Sequence, residues 1–250
     1  MKKYLTGRFS YRTDIGKVRV SNEDQAIALT NASGNVLLVV CDGMGGQNKG
    51  DLASSLALHT IVTSFKSRKG FMNAYFAKLW VSRAIREANR SIYEQSQSNV
   101  NYRGMGTTVT LLLIIKDIAI LGHVGDSRCY FLKNHHDLVQ MSEDQTYVNY
   151  LLRTEQITPE EALTHPKRHV LMNALGIYPS ASIDLKTFPY LNEGVLLCSD
   201  GLYNNVPYDD IAAIVKGDGT IEQKVNELIA IGNKNGGSVN IAVVLWEAQS

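Results

Sequence analysis

The sequence predicts an α+β domain whose antiparallel sheets carry pairs of helices on their outer faces. Strand-like segments arrive in blocks of neighbours, and helical periodicities fall in pairs between the blocks, unlike the strict alternation of a βα fold. There is no internal repeat and no low-complexity linker, so residues 1–250 are expected to form one domain.

Along the chain, strands are expected at about Gln25 to Thr30 and Val36 to Cys41. The turn chemistry of Asn31-Ala-Ser-Gly-Asn35 joins them into a hairpin. Apolar residues at helical spacing follow, with Leu52, Leu56 and Val62 in one segment. Phe76, Leu79, Trp80, Ile85 and Ile92 mark a second helix, from Phe71 to about Ser96. Thr107 to Ile115, Ile118 to Val124 and Cys129 to Leu132 are rich in branched or aromatic residues. Their close spacing predicts an antiparallel meander, with Lys116-Asp117 as its first turn. Thr158-Pro159-Glu160-Glu161 combines an N-cap, a proline at the first helical position and a capping-box glutamate, so a short helix starts there. The last third predicts a strand at Val195 to Cys198, helices at Tyr208 to Val215 and Thr220 to Asn233, and a strand at Asn240 to Trp246.

Composition excludes several classes of function. With 44% hydrophobic and 20% charged residues the 250-residue chain can bury a substantial core, and disorder is ruled out. The formal net charge of +1 provides no global field for nucleic acid or an anionic membrane. The apolar runs fall well short of the roughly 20 residues that span a bilayer. The start, Met-Lys-Lys-Tyr-Leu-Thr-Gly-Arg, has no apolar stretch after its lysines, so a cytoplasmic location is expected. Cys41, Cys129 and Cys198 are odd in number, far apart and set in apolar runs, which suits buried thiols in a reducing compartment.

The unusual feature is aspartate beside glycine where apolar strands end. Asp42-Gly43-Met44-Gly45-Gly46 follows the second strand, Gly125-Asp126-Ser127-Arg128 follows Ile118 to Val124, and Ser199-Asp200-Gly201 follows Val195 to Cys198. One such pair is ordinary turn chemistry. Three of them after buried strands put carboxylates where a cation, a donor or water has to compensate them, and hard divalent metals supply that compensation. Oxygen ligands suit Mg2+ or Mn2+, whereas Zn2+ would call for His or Cys at motif spacing, which the chain lacks. A further acidic pair, Glu23-Asp24, precedes the first strand with Arg19 five residues ahead of Asp24.

Taken in order, Thr13-Asp-Ile-Gly16-Lys-Val-Arg19, Asn22-Glu-Asp24, DGMGG at 42–46, GMGTT at 104–108, GDSR at 125–128 and SDGL at 199–202 resemble the metal-dependent protein phosphatases of the PPM (type-2C) family, the bacterial branch in particular. The match runs from about residue 10 to 246. It includes a segment of about 142–176 that looks like the bacterial flap beside the active site. The resemblance implies two antiparallel β-sheets packed as a sandwich, each flanked by antiparallel α-helices in four layers αββα, with a two-metal centre at one edge. Asp42 then matches the aspartate bridging both metals, Gly43 a carbonyl ligand, Asp24 a ligand reached mostly through water, and Asp200 a ligand of the first metal. Asp126 matches the residue associated with a third, weaker metal, and Arg19 the phosphate-binding arginine. The implied reaction is hydrolysis of phosphoserine and phosphothreonine on proteins by a metal-bridging water, with Mn2+ or Mg2+ as cofactor. The implied partners are phosphorylated proteins and a bacterial Ser/Thr kinase whose action the chain, as a monomer, opposes.

The pattern breaks at one place. The family's last strand opens Gly-Gly-x-Asp-Asn and uses that Asp as a first-metal ligand, whereas this chain has Gly236-Gly237-Ser238-Val239-Asn240. Valine cannot coordinate a cation, and Asn240 is expected to point to the opposite face of its strand. A first metal site weakened by at least the 10- to 100-fold of a lost supporting ligand is therefore expected. Asn204, Gln145 and Met44 are milder departures. His123 is expected on a buried strand, and His135-His136 in a polar turn. Against the enzyme stands a second class of function, a phosphatase fold that keeps Arg19 and part of the metal site and only binds phosphorylated partners.

Overall fold

Val36, Leu38 and Val40 point to one side of their strand, Leu37, Val39 and Cys41 to the other, and all six are fully buried. A strand with two dry faces must lie between two packed layers, and this is why it reads as an unbroken apolar run. The computed structural model describes residues 5–45, 49–134 and 136–249. Gly46 of the glycine string, His135 of the polar turn and the first four residues lie outside them.

Two sheets, antiparallel throughout, face each other. The first has the order β2 (Asp24–Thr30), β3 (Val36–Met44), β5 (Val109–Ile115), β6 (Ile118–Val124) and β9 (Asp184–Pro189), with the two-residue β4 (Gly106–Thr107) pairing the end of β3. The second has the order β1 (Gly7–Asp14), β11 (Ile241–Ala248), β10 (Gly194–Cys198), β7 (Arg128–Lys133) and β8 (Asp137–Gln140). Between them, Val36, Leu38, Val40, Leu112 and Leu121 of the first sheet meet Phe131, Leu197, Val244 and Trp246 of the second. The other face of the first sheet packs on α1 (Lys49–Lys66) and α2 (Ala74–Ser98) through Leu37, Val39, Ile61, Phe65, Val81 and Ile85. The other face of the second packs on α5 (Asp200–Tyr203), α6 (Tyr208–Lys216) and α7 (Ile221–Lys234) through Leu196, Val243, Leu245, Ile211 and Leu228. The four layers αββα follow from strict alternation along strands that are buried on both faces.

The meander expectation is corrected. β5 and β6 pair with each other, but β7 crosses to the second sheet and pairs with β10 and β8. Gly125, with φ of 107°, and Asp126 redirect the chain at that crossing. β3 also runs to Met44, so Asp42 lies inside the strand, and the Thr107 to Ile115 segment is divided at Thr108. β1, β8 and β9, together with α3 (Tyr147–Arg153) and α5, were not expected from the sequence. Each of those strands lies at a sheet edge, where one row of side chains is exposed and the apolar signal thins. The helix expected at Thr158 is α4 (Pro159–Thr164), with both hydrogen bonds of its capping box formed. All three cysteines are free and buried, and burial pushes the Cys198 thiol up to about 12 and raises the other two further. None of the helices in the described residues is long and apolar enough to cross a membrane.

Leu38 sits where the two sheets meet. Leu38→Ala should lower the unfolding free energy by about 2–5 kcal/mol, read from a denaturant midpoint at unchanged slope. The exposed Met72 is its control, and Met72→Ala should stay within about 0.5 kcal/mol. Equal costs at the two positions would contradict the packing described.

Candidate active site

The β2–β3 register sets Asp24 opposite Asp42 across the hairpin. Asp24 opens its strand and is 2% exposed; Asp42 is half-buried and faces a cleft of about 610 Å3. The backbone around Asp42 is tied down by the GMGTT string. The Asp42 N–H donates to Thr108 Oγ1 (2.9 Å), and the Asp42 carbonyl accepts from Thr107 Oγ1 (2.9 Å) and the Thr108 N–H (2.8 Å). Asp200 arrives from the other sheet as the first residue of α5, and Asn204 Nδ2 donates to its Oδ2 at 3.0 Å. Asp126 is 6% exposed on the crossing between sheets, with its carbonyl accepting from Tyr203 Oη at 3.1 Å.

Glu23 and Asp24 divide their work. Asp24 turns to the cleft's centre, where Ser199 Oγ donates to its Oδ2 (2.6 Å) and accepts from the Ala242 N–H (2.8 Å). Glu23 reaches the start of α1, where its Oε1 accepts from the Gly50 N–H at 3.2 Å. Gly43 lies beneath this contact. A Cβ there would collide with the Gly50 carbonyl and stand 2.6 Å from that of Glu23, so only glycine lets helix, hairpin and loop close together.

Arg19, Asp24, Asp42, Gly43, Asp126 and Asp200 all line the one cleft, so the structure brings together the six residues named as candidate metal or phosphate ligands. Arg168, His169 and Leu171 of the 142–176 segment form part of its wall. None of the ion pairs among the described residues involves Arg19. Arg128 is committed elsewhere, forked onto Asp144 (2.7–3.1 Å) and stacked 3.5 Å over the Tyr203 ring. Val239 is half-buried in the wall and offers no ligand atom. Asn240 also borders the cleft, but both ends of its amide are bonded to backbone groups of residues 15–23. His123 is buried between Thr110 Oγ1 and the Glu143 carbonyl. Gln145 Oε1 accepts from the Gly125 N–H (3.0 Å) and from Asn173 Nδ2 (2.7 Å), fastening the Asp126 crossing to the 142–176 segment.

The aspartates disturb one another. Burial first, then the Asp200 charge against the relief of the Ser199 hydrogen bond, leaves the Asp24 carboxyl at about 7. Burial, then Asp200 and Asp144, hold Asp126 at about 7 with Arg128 opposing. Asp42 is raised well above the usual range by burial and by Asp24, Asp200 and Asp126. Its side chain keeps some contact with cleft water, which softens the effect of burial, but the three like charges act in the same direction. Asp200 is raised by burial, against His169, Asp42 and Arg19. This hard-oxygen donor set, costly without a cation, fits a divalent metal such as Mg2+ or Mn2+. Among the described residues no group of three His, Cys, Asp or Glu side chains is placed to hold a metal ion by itself. Cations held here would therefore keep several waters, as Mg2+ does.

An unfolded aspartate loses its proton near pH 4, and the folded Asp126 near 7, so the metal-free folded chain binds the extra proton between those limits. Its stabilising effect is complete below about pH 4 and is lost as the pH rises through 7. In chelator, Asp126→Asn should gain on the parent chain by at least about 1 kcal/mol between pH 4 and 7, measured by denaturant unfolding. A gap that does not change with pH would contradict the placement of Asp126.

Comparison with known proteins gives the family. Residues 17–241 match the family described as Protein phosphatase 2C. The serine/threonine phosphatase stp of Listeria monocytogenes serotype 4b is 36% identical over 238 residues, covering 95% of this chain and 94% of its own length. The serine/threonine phosphatase Stp1 from Staphylococcus aureus superposes with a TM-score of 0.92 at 32% identity, over 100% of this chain and 98% of that one. The catalytic domain of the serine threonine protein phosphatase PstP, solved in complex with two manganese ions, gives a TM-score of 0.86 at 30% identity over 98% and 100%. In sequence and in fold alike, over nearly its whole length, the chain belongs to the protein phosphatase 2C family.

Proposed function

We propose that the chain hydrolyses phosphoserine and phosphothreonine esters on proteins in a reaction dependent on Mn2+ or Mg2+. The observation that carries this reading is the convergence of Asp24, Asp42, Asp126 and Asp200 on one cleft with Arg19, which joins no ion pair among the described residues. Asp42, Gly43, Asp24 and Asp200 would hold two cations, and Asp126 is the candidate for a third, weaker one. Cations there supply Lewis acidity toward phosphoryl oxygens and acidify a water for attack. Arg19 presents a planar fork that grips two phosphate oxygens and orients the ester over the aspartates. No side-chain nucleophile is required. The cysteines are buried, and the Ser199 hydroxyl is occupied by Asp24 and the Ala242 amide. The 142–176 segment acts as a flap whose Arg168 and His169 border the bound phosphoprotein. In this reading residues 1–250 work as one domain, a cytoplasmic monomer opposing a Ser/Thr kinase.

Val239 favours a second reading. An apolar side chain in the cleft wall where a carboxylate ligand is expected weakens the first metal, and in the extreme leaves a module that binds phosphorylated partners without turning them over. Two experiments separate these readings. Turnover of a phosphothreonine peptide should require added Mn2+ and fall at least about 100-fold in Asp42→Ala, which removes the shared ligand; metal-independent turnover would sink the mechanism. Val239→Asp should tighten Mn2+ binding at least about tenfold by calorimetry and raise activity most when metal is limiting. An enzyme with weakened metal is rescued by excess Mn2+ as well as by the substitution. A pure binding module regains turnover through the substitution alone.

A further inference from the structure

The loop that carries Arg19 has little to hold it by burial. It leaves β1 at Asp14 and enters β2 at Asp24, and its apolar side chains Val18 and Val20 are 67% and 94% exposed. Hydrogen bonds fix it instead, and four of them lead to the stretch just before β11. The Lys17 N–H donates to the Gly237 carbonyl at 2.7 Å. Asn240 does the most. Its Nδ2 donates to the Ile15 carbonyl (2.9 Å) on the outgoing leg and to the Ser21 carbonyl (2.9 Å) on the returning leg, while its Oδ1 accepts from the Glu23 N–H (2.9 Å). Gly16, with φ of 78°, approaches so closely that a Cβ there would stand 2.6 Å from the Val239 carbonyl. Two donors and one acceptor, all used on backbone groups of the loop, make Asn240 a cross-tie between its two legs.

We propose that Asn240 is a positioning residue for phosphate recognition, setting where the Arg19 guanidinium stands relative to Asp42 and Asp200. The proposal rests on the phosphatase reading of Arg19 given above. It assigns adjacent residues to different tasks. Both border the cleft, but the valine side chain at 239 supplies no ligand there, whereas the amide at 240 spends its full set of bonds on the loop. A weakened metal site and an intact arginine arm can thus coexist in one chain. Aspartate at 240 has the same shape as asparagine but cannot donate to Ile15 and Ser21, so it isolates the two donor bonds from packing.

The test uses Asn240→Ala and Asn240→Asp in the full chain, alone and combined with Arg19→Ala. At saturating Mn2+ each single variant should raise KM for a phosphothreonine peptide about tenfold, as a misplaced binding group does, and change kcat less than about threefold. With Arg19 already removed, the same substitution should move KM less than about twofold, because no guanidinium is left to misplace. Hydrogen exchange should quicken at the Lys17 and Glu23 amides and stay unchanged at Leu197 and Val244 in the sheet core. Additive effects of the two positions on KM, exchange that rises everywhere alike, or loss of the fold in both variants would overturn the proposal and leave Asn240 a purely structural residue. Failure of the phosphatase reading looks different, since the parent chain itself would not turn over. Inorganic phosphate affinity, measured by calorimetry in Mn2+, then decides. A loss on Asn240→Ala only while Arg19 is present upholds the positioning role, and no loss refutes it.

Discussion

Four aspartates in one partly dry cleft repel each other, and the remainder of the molecule is arranged to hold them together despite it. Coulomb repulsion between like charges is weak in water and grows as solvent is excluded. Asp24 and Asp126 respond by keeping their protons to about pH 7. Such a cluster persists only if the backbone beneath it is over-determined. Each aspartate has such an anchor: a cross-strand register for Asp24 and Asp42, a pair of threonines under Asp42, a helix start for Asp200, and a tyrosine contact for Asp126. The destabilisation stored there is what a divalent cation relieves, so affinity for metal and instability without it are two aspects of one arrangement.

The acidic groups come from both halves of the sandwich. Asp24 and Asp42 belong to the first sheet, Asp200 follows a strand of the second, and Asp126 lies on the crossing between them. Their separation is thus set by how the two sheets face each other, a distance fixed by Leu38, Phe131, Val244 and their neighbours. The polar ties that span the sheets lie close to the cleft. Ser199 joins Asp24 to the Ala242 amide, and Asn240 joins the start of β11 to the loop before β2. Core packing sets the gap, and those bonds refine it.

Much of this was legible in the sequence because its cause is local. The hairpin, the long helices and the capping box at Thr158 are written in periodicity and turn chemistry, and the aspartates stand out beside glycine at the close of apolar runs. What escaped depends on distant partners. β1 and β9 are edge strands whose half-exposed patterns carry little signal, and β7 changes sheets because β10 lies ready to pair with it, a fact no nearby residue records. Thr107 and Thr108 hold the Asp42 backbone from 65 and 66 residues away, and Ser199 reaches the Asp24 carboxylate from 175 residues away. Asn240 was legible only as an unsuitable ligand. Its use became visible once the loop it ties was in place. Glu23 could have been recognised as an anchor for α1 only by knowing that Gly50 would lie beside it.

The two-faced burial of the strands has one more consequence, for the chain's three thiols. Oxidants react with the thiolate rather than the thiol, and Cys41, Cys129 and Cys198 are all shielded from solvent and held protonated by the same packing that builds the sandwich. Peroxide that silences enzymes built around an exposed thiolate finds no equivalent target here. Control by cellular redox state would have to reach this chain by a route other than its thiols.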